Sequence, residues 1–226
     1  MANPNIELLT AIANAMGELR ERVVFVGGCA TGLLITQPHV ADARATEDVD
    51  AIVEVASLVG YHAFARELMK LGFKQTIADN TPPFRWFWNR MQLDLVPLDE
   101  KILGFANRWY KPGFDAATVA VLPSGLQLRH LSAPYFMATK LEAFKDRGNN
   151  DVYLSHDLED VISVVDGREE LLNELSAAPA EVRRFVAHAF RGILKHPDFT
   201  NVLPGIVSQS ARAGLVLQRI SRIAEL

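Results

Sequence analysis

The chain has 226 residues, a formal net charge of −4 and 49% hydrophobic residues, which suffices for one large or two small packed domains. No stretch approaches the roughly 18 consecutive apolar residues that a membrane span requires, and the N-terminus lacks a basic region followed by an apolar block. We therefore expect a cytoplasmic protein with no membrane partner. The negative charge argues against a strongly basic nucleic-acid binder, and a lone cysteine cannot form an internal disulfide.

Hydrophobic periodicity and turn residues divide the chain into two parts with different patterns. The first part mixes strands and helices in the order helix 6–19, strand 22–26, short helix 29–35, strand 48–55, helix 61–71, strands 84–88 and 91–96 joined by the turn Asn89-Arg90, and strands 117–122 and 126–130. The second part reads as helices over 135–147, 157–165, 168–175, 180–194 and 211–223. We predict an α/β domain over 1–132 and an all-helical domain over 133–226.

Two short motifs in the first part carry chemistry. Asp48 and Asp50 precede an apolar run, and alternation along a strand places both carboxylates on one face. Asp94 lies in a second strand-like run and would join them if the two strands are neighbours. Three carboxylates suit Mg²⁺, with Mn²⁺ as an alternative, and a two-metal site of this kind supports phosphoryl or nucleotidyl transfer.

The pair Gly27-Gly28 lies between a predicted strand and a helix N-terminus. Glycines there allow close approach of a phosphate to backbone amides, so the combination with the aspartates predicts a nucleoside triphosphate substrate. Each motif has a plainer interpretation, since an isolated aspartate most often caps a helix or ends a strand. Thr46 is favoured as a cap over a phosphate contact. Cys29 is favoured as a small, partly buried residue over a nucleophile.

Strand, Gly-Gly, helix, D-x-D strand and a later carboxylate are together the order seen in the nucleotidyltransferase superfamily with the polymerase-β-like fold, which this chain resembles. The resemblance implies an α+β fold in which a nucleotidyltransferase core, a mixed sheet flanked by helices, is followed by an all-helical C-terminal domain. It also implies that Asp48, Asp50 and Asp94 are catalytic and bind metal, and that Gly27 and Gly28 bind nucleotide. The long gap before Asp48 is unlike the shortest members, and the chain looks most like the AbiEii-type and MenT-like toxins of type IV toxin–antitoxin systems.

A second match lies in the helical part. The stretch 138–148 (ATKLEAFKDRG) resembles the K-L-x-A-x-x-x-R-G helix of that branch, and 156–161 (HDLEDV) resembles its D-x-x-D helix, although His156 stands where a basic residue is usual. The resemblance implies that Lys140 binds the triphosphate and that Asp157 or Asp160 lines the nucleotide pocket or orients Lys140. Without it, Lys140 would be assigned to a solvated helix face.

Three functions remain open at this stage. The first is Mg²⁺-dependent transfer of a nucleoside monophosphate from NTP to an RNA hydroxyl, such as a tRNA 3′ end, by a toxin that has a cognate antitoxin protein as partner. The second is the same chemistry on a small molecule such as an aminoglycoside. The third is a non-catalytic scaffold that binds nucleotide or a protein. The aromatic stripe Phe84, Trp86 and Trp88 is predicted to pack in the core, and the stretch 108–111 (RWYK) is predicted to be a surface loop with a buried aromatic residue.

Overall fold

A computed structural model describes residues 4–76 and 81–226. Within it the chain forms two compact units. The first comprises the chain up to Ala30 together with Ala45–Leu131, and the second comprises Thr31–Arg44 together with Ser132–Leu226. The short segment Thr31–Arg44 therefore belongs with the C-terminal helices, a grouping that its position in the sequence did not indicate.

All six strands found in the described residues belong to the first unit and form one sheet. They are β1 (Val23–Val26), β2 (Asp48–Val53), β3 (Arg85–Trp88), β4 (Met91–Pro97), β5 (Thr118–Val121) and β6 (Gln127–His130). The strand order is β3-β4-β2-β1-β6-β5, with β2–β4 and β1–β6 parallel and the other neighbours antiparallel. The predicted α+β class, a mixed sheet with flanking helices followed along the chain by a helical region, is confirmed.

The described residues also form eleven α-helices. Those of the first unit are α1 (Pro4–Ala15), α3 (Leu58–Lys70), α4 (Glu100–Leu103) and α5 (Tyr110–Asp115). Those of the second unit are α2 (Thr31–Leu34), α6 (Ala133–Asp146), α7 (His156–Gly167), α8 (Leu171–Ala177), α9 (Ala180–Leu194), α10 (Phe199–Ile206) and α11 (Ala213–Ala224). None of the helices that the structure describes has the length and apolarity to cross a membrane.

Local sequence explains where several elements begin and end. The Ser57 hydroxyl accepts a hydrogen bond from the Gly60 amide and caps α3, and Gly72 follows that helix in the left-handed conformation. Asn89 takes a φ of 54° in the two-residue turn between β3 and β4. Asparagine tolerates this region better than most residues, which allows the predicted hairpin to close.

Two predicted boundaries were wrong for identifiable reasons. The first helix ends at Ala15 rather than Leu19, because Gly17 has a φ of 54° and a 3-10 segment, Gly17–Arg22, follows. The predicted loop 108–111 ends at Trp109, which is 3% exposed, because α5 begins at Tyr110. The Asp99 carboxylate accepts a hydrogen bond from the Lys101 amide and caps the start of α4.

Each unit has its own apolar core. In the first unit Phe25, Phe64 and Trp86 are fully buried, so the central aromatic residue of the stripe packs as predicted. In the second unit Phe136, Phe190 and Phe199 fill the interior among the helices. Burial on this scale provides the main stabilisation of both units.

Candidate metal centre

The three aspartates predicted to bind metal meet at one edge of the sheet. Strands β2 and β4 are parallel neighbours, and their register places Asp50 directly beside Asp94. Asp48 lies two residues before Asp50 and therefore projects from the same face. One carboxylate oxygen from each of the three residues lies within 4.8 Å of the others. The tertiary fold thus brings together a cluster that the sequence could only suggest.

The Gly27-Gly28 turn lies at the same edge. Val26, the last residue of β1, pairs with Asp50, and Gly27 follows it with a φ of 71°. A Cβ on Gly27 would lie 2.7 Å from Asp50 Cγ and 2.9 Å from its Cβ, closer still to Oδ2. Glycine is required here for two reasons, the left-handed backbone and the space that the Asp50 carboxylate occupies.

Replacing Gly27 with alanine is expected to displace Asp50 and to weaken Mn²⁺ binding by about tenfold or more, because a ligand moved by about 1 Å no longer fits the metal. Mn²⁺ titration followed by electron paramagnetic resonance measures the change. The matched control is Gly125→Ala, which has a φ of 83° and no atom within 4 Å of the added Cβ. It shares the backbone strain without the collision, so equal loss of Mn²⁺ affinity in both variants would contradict the steric explanation.

Asp94 has a cationic partner that the sequence analysis did not single out. Arg85 on β3 pairs with Asp94 on β4, and its Nε and Nη2 donate to Asp94 Oδ1 at 2.9 Å and Oδ2 at 2.8 Å. The Asp94 side chain is 7% exposed and that of Arg85 is 29% exposed. The hydrogen bonds that Arg85 donates to the Asp94 carboxylate raise the pKa of Arg85, so the guanidinium is charged at every physiological pH.

The Gln92 side-chain amide lies beside Asp48, Asp94 and Arg85. Its amide nitrogen lies 3.4 Å from Asp48 Oδ2 and from Asp94 Oδ1. With the amide turned over, its oxygen accepts from Arg85 Nε and Nη2 at 3.1 Å, and these shorter contacts favour that orientation. In that orientation Gln92 contacts Arg85, and its amide nitrogen no longer donates to Asp48 or Asp94.

Helix α1 supports the residues that flank the aspartates. The Asn5 side chain is buried, its Oδ1 accepts from the Thr46 amide at 3.0 Å, and its backbone oxygen accepts from the Cys29 thiol at 3.2 Å. Thr46 Oγ1 donates to Asp48 Oδ1 at 2.6 Å, so Thr46 orients a carboxylate of the cluster.

Burial, followed by the charges of Asp50 and Asp48, raises the pKa of the Cys29 thiol, which keeps it protonated and a poor nucleophile.

The chemistry of this cluster fits a hard divalent cation. All three ligands are carboxylate oxygens, which Mg²⁺ and Mn²⁺ prefer. One oxygen of each carboxylate lies within 4.8 Å of the others, so the three can converge on one ion. The absence of a Cβ at Gly27 leaves room for the Asp50 carboxylate in the cluster. Asp48, Asp50 and Asp94 can therefore hold a divalent ion.

The charged residues of the second motif, which lies in the C-terminal part of the sequence, form a cluster within the second unit. Lys140 on α6 is 7% exposed, and its Nζ lies 2.9 Å from Asp157 Oδ1 and 2.6 Å from Asp160 Oδ2 on α7. Arg147 donates to both oxygens of Asp157 at 3.0 Å. Arg44 adds a longer contact, with its Nη2 4.0 Å from Asp160 Oδ2. Helices α6 and α7 thus bring these predicted charges together as a buried ion-pair cluster.

The ion pairs of this cluster determine the pKa of its members. Burial opposes the charge on Lys140, but the nearby Asp160 and Asp157 carboxylates outweigh it and raise the Lys140 pKa. Burial likewise opposes the charge on Asp157, and Lys140 with Arg147 outweighs it and lowers the Asp157 pKa. Both groups are therefore charged in the folded protein at neutral pH.

These directions predict how stability depends on pH. A lowered Asp157 pKa stabilises the fold above the ordinary value of 3.8, and this contribution is lost as pH falls below that value. A raised Lys140 pKa stabilises the fold below 10.5, and this contribution is lost as pH rises above that value. Urea denaturation should therefore show that Asp157→Asn lowers the free energy of unfolding at pH 7 and that its difference from wild type narrows below pH 3.8. A difference independent of pH would contradict the assignment.

No protein-family model matches the chain, and no curated protein matches it in sequence. Among solved structures, it is similar to an antigenic nucleotidyltransferase-like protein from Paracoccidioides brasiliensis, with 18% identity over 93% of this chain and 96% of that one and a TM-score of 0.48. It is also similar to the antibiotic-resistance factor ANT(2'')-Ia, with 15% identity over 85% of this chain and 94% of that one, again at a TM-score of 0.48. Similarity at this level assigns no function, so the functional conclusion depends on the residues of the site.

Proposed function

We propose that this protein is a Mg²⁺-dependent nucleotidyltransferase that transfers a nucleoside monophosphate from an NTP to an acceptor hydroxyl and releases pyrophosphate. The observation that carries the proposal is the meeting of Asp48, Asp50 and Asp94 beside Gly27 at one sheet edge. A carboxylate cluster next to a glycine turn combines metal ligands with a place where backbone can approach a phosphate closely.

Each residue has a distinct part in this proposal. Asp48 and Asp50 hold the divalent ion, with Thr46 and Gly27 fixing their carboxylates. Asp94 completes the cluster and helps to activate the acceptor hydroxyl. A bound Mg²⁺ supplies charge stabilisation to the phosphoryl oxygens and to the departing pyrophosphate. Gly27 and Gly28 position the triphosphate against the main chain.

We further propose that the acceptor is RNA, such as a tRNA 3′ end, and that the protein acts as the toxin of a toxin–antitoxin pair. This step depends on the resemblance to the AbiEii-type and MenT-like branch. The ion pairs of Lys140 with Asp157 and Asp160 support that resemblance, because they join the two helices that carry its second motif. The nucleotide-binding roles of these three residues stay predictions within the proposal.

A direct test incubates the wild-type protein with Mg²⁺ and each of the four α-labelled NTPs in the presence of total RNA. A parallel series replaces RNA with a panel of aminoglycosides, and calorimetry with the same NTPs measures binding alone. Label in RNA is the expected result. Label in an aminoglycoside would support nucleotidyl transfer but contradict RNA as the acceptor. NTP binding without transfer to either acceptor would contradict the transferase proposal and indicate a nucleotide-binding scaffold.

A further inference from the structure

The charge balance of the metal centre depends on Arg85. The three carboxylates of Asp48, Asp50 and Asp94 carry a charge of −3 when ionised, and Arg85 reduces this to −2. Like charges placed this close repel one another strongly in the partly dehydrated edge of a protein. A divalent ion brings the same kind of neutralisation, so Arg85 and the metal compete for the same negative charge.

The geometry places Arg85 where this competition can occur. Its guanidinium makes both hydrogen bonds of a bidentate pair with Asp94, the most buried of the three ligands. The register of the β3–β4 hairpin fixes Arg85 opposite Asp94, so the contact is built into the sheet. The Arg85 side chain keeps 29% of its surface exposed, which lets the guanidinium turn toward solvent without a large rearrangement of the core.

We propose that Arg85 is a resident counter-ion of Asp94 that sets the divalent-ion affinity of the centre. In the absence of metal it neutralises Asp94 and keeps the carboxylates together. When a divalent ion binds, the positive charge of Arg85 opposes it, so the centre fills only at a higher metal concentration than three carboxylates alone would require. This proposal rests on the metal-dependent function above and concerns the regulation of that site.

The test measures Mn²⁺ binding by electron paramagnetic resonance, without nucleotide or acceptor. Arg85→Gln is expected to bind Mn²⁺ about tenfold more tightly than wild type, because a positive charge within several ångströms of the metal is removed. Arg85→Lys keeps the charge and is expected to stay within about threefold of wild type. The matched control is Arg90→Gln, which removes the same charge from the exposed turn of the same hairpin and should leave the affinity unchanged.

Equal or weaker binding by Arg85→Gln would overturn the proposal, and weaker binding by both Arg85→Gln and Arg85→Lys would show that Arg85 only positions Asp94. If neither wild type nor Arg85→Gln binds Mn²⁺, the metal centre fails and the Arg85 proposal fails with it. If wild type binds Mn²⁺ and transfers nucleotide while Arg85→Gln has unchanged affinity, only the Arg85 proposal fails. Arg85→Met is a second neutral variant with the same expected gain, and circular dichroism confirms that each variant is folded.

Discussion

The double variant Asp48→Asn/Asp50→Asn is expected to lose Mn²⁺ binding and to transfer nucleotide at least about 10³-fold more slowly than wild type. Asparagine keeps the size and one oxygen of each side chain but removes both negative charges from the face of β2. A divalent ion held by Asp94 alone, itself paired with Arg85, would be bound too weakly to support transfer.

The fold of this double variant should be intact. The amide oxygen introduced by Asp48→Asn can still accept the Thr46 hydroxyl hydrogen bond, and removal of two neighbouring like charges relieves repulsion in the metal-free protein. We therefore expect its free energy of unfolding without metal to equal or exceed that of wild type. Labelled-NTP transfer and urea denaturation on the same preparation measure both quantities. Unchanged transfer would refute the catalytic role, and Asp99→Asn, which alters only a helix cap on α4, is the control.

The variant Lys140→Met is expected to lower the free energy of unfolding by about 3–5 kcal/mol, the usual cost of removing one partner of a buried ion pair. Methionine fills similar volume but leaves Asp160, which is fully buried, and Asp157 without their ammonium partner. Urea denaturation at pH 7 measures the loss. Part of the loss relative to wild type should be recovered as pH falls toward 3.8, because a buried carboxylate without its cation gains a proton more readily.

The control for Lys140→Met lies on the same helix. Lys145→Met removes an exposed lysine of α6, and we expect a change below about 0.5 kcal/mol. A loss in Lys140→Met no greater than in Lys145→Met would show that the Lys140 cluster contributes nothing to stability. Loss of NTP binding by calorimetry, in a variant still folded at the assay temperature, would instead support the triphosphate-binding role that the resemblance implies for Lys140.

The parts of the fold governed by local pattern could be predicted well. Apolar periodicity identified the six strands and the longer C-terminal helices, because burial of one face imposes that spacing whatever the neighbours are. The predicted hairpin also fixes which residues of its two strands pair. A two-residue turn at Asn89-Arg90 pairs Trp88 with Met91, and counting back along both strands places Arg85 opposite Asp94. The counter-ion could therefore have been found from the sequence.

Other features had no local signal. The short helices α4 and α5 lack enough turns for a visible period, and α5 is held by burial of Trp109 and Phe114. Asn5 was overlooked because its hydrogen bonds with Cys29 and Thr46 join residues 24 and 41 positions apart in the chain. From the sequence, an asparagine at the start of a helix is assigned as an ordinary cap, and only the fold shows that Asn5 is buried.

The sequence by itself determined the carboxylates, the glycine turn and their order along the chain, since strand alternation places Asp48 and Asp50 on one face in any fold that keeps β2. Only the tertiary structure decided that β4 lies parallel to β2 with Asp94 beside Asp50, and that the Asp50 carboxylate fills the space a Gly27 side chain would need. The reason is physical: side-chain direction within a strand follows from local geometry, whereas the pairing of distant strands follows from the packing of the whole sheet.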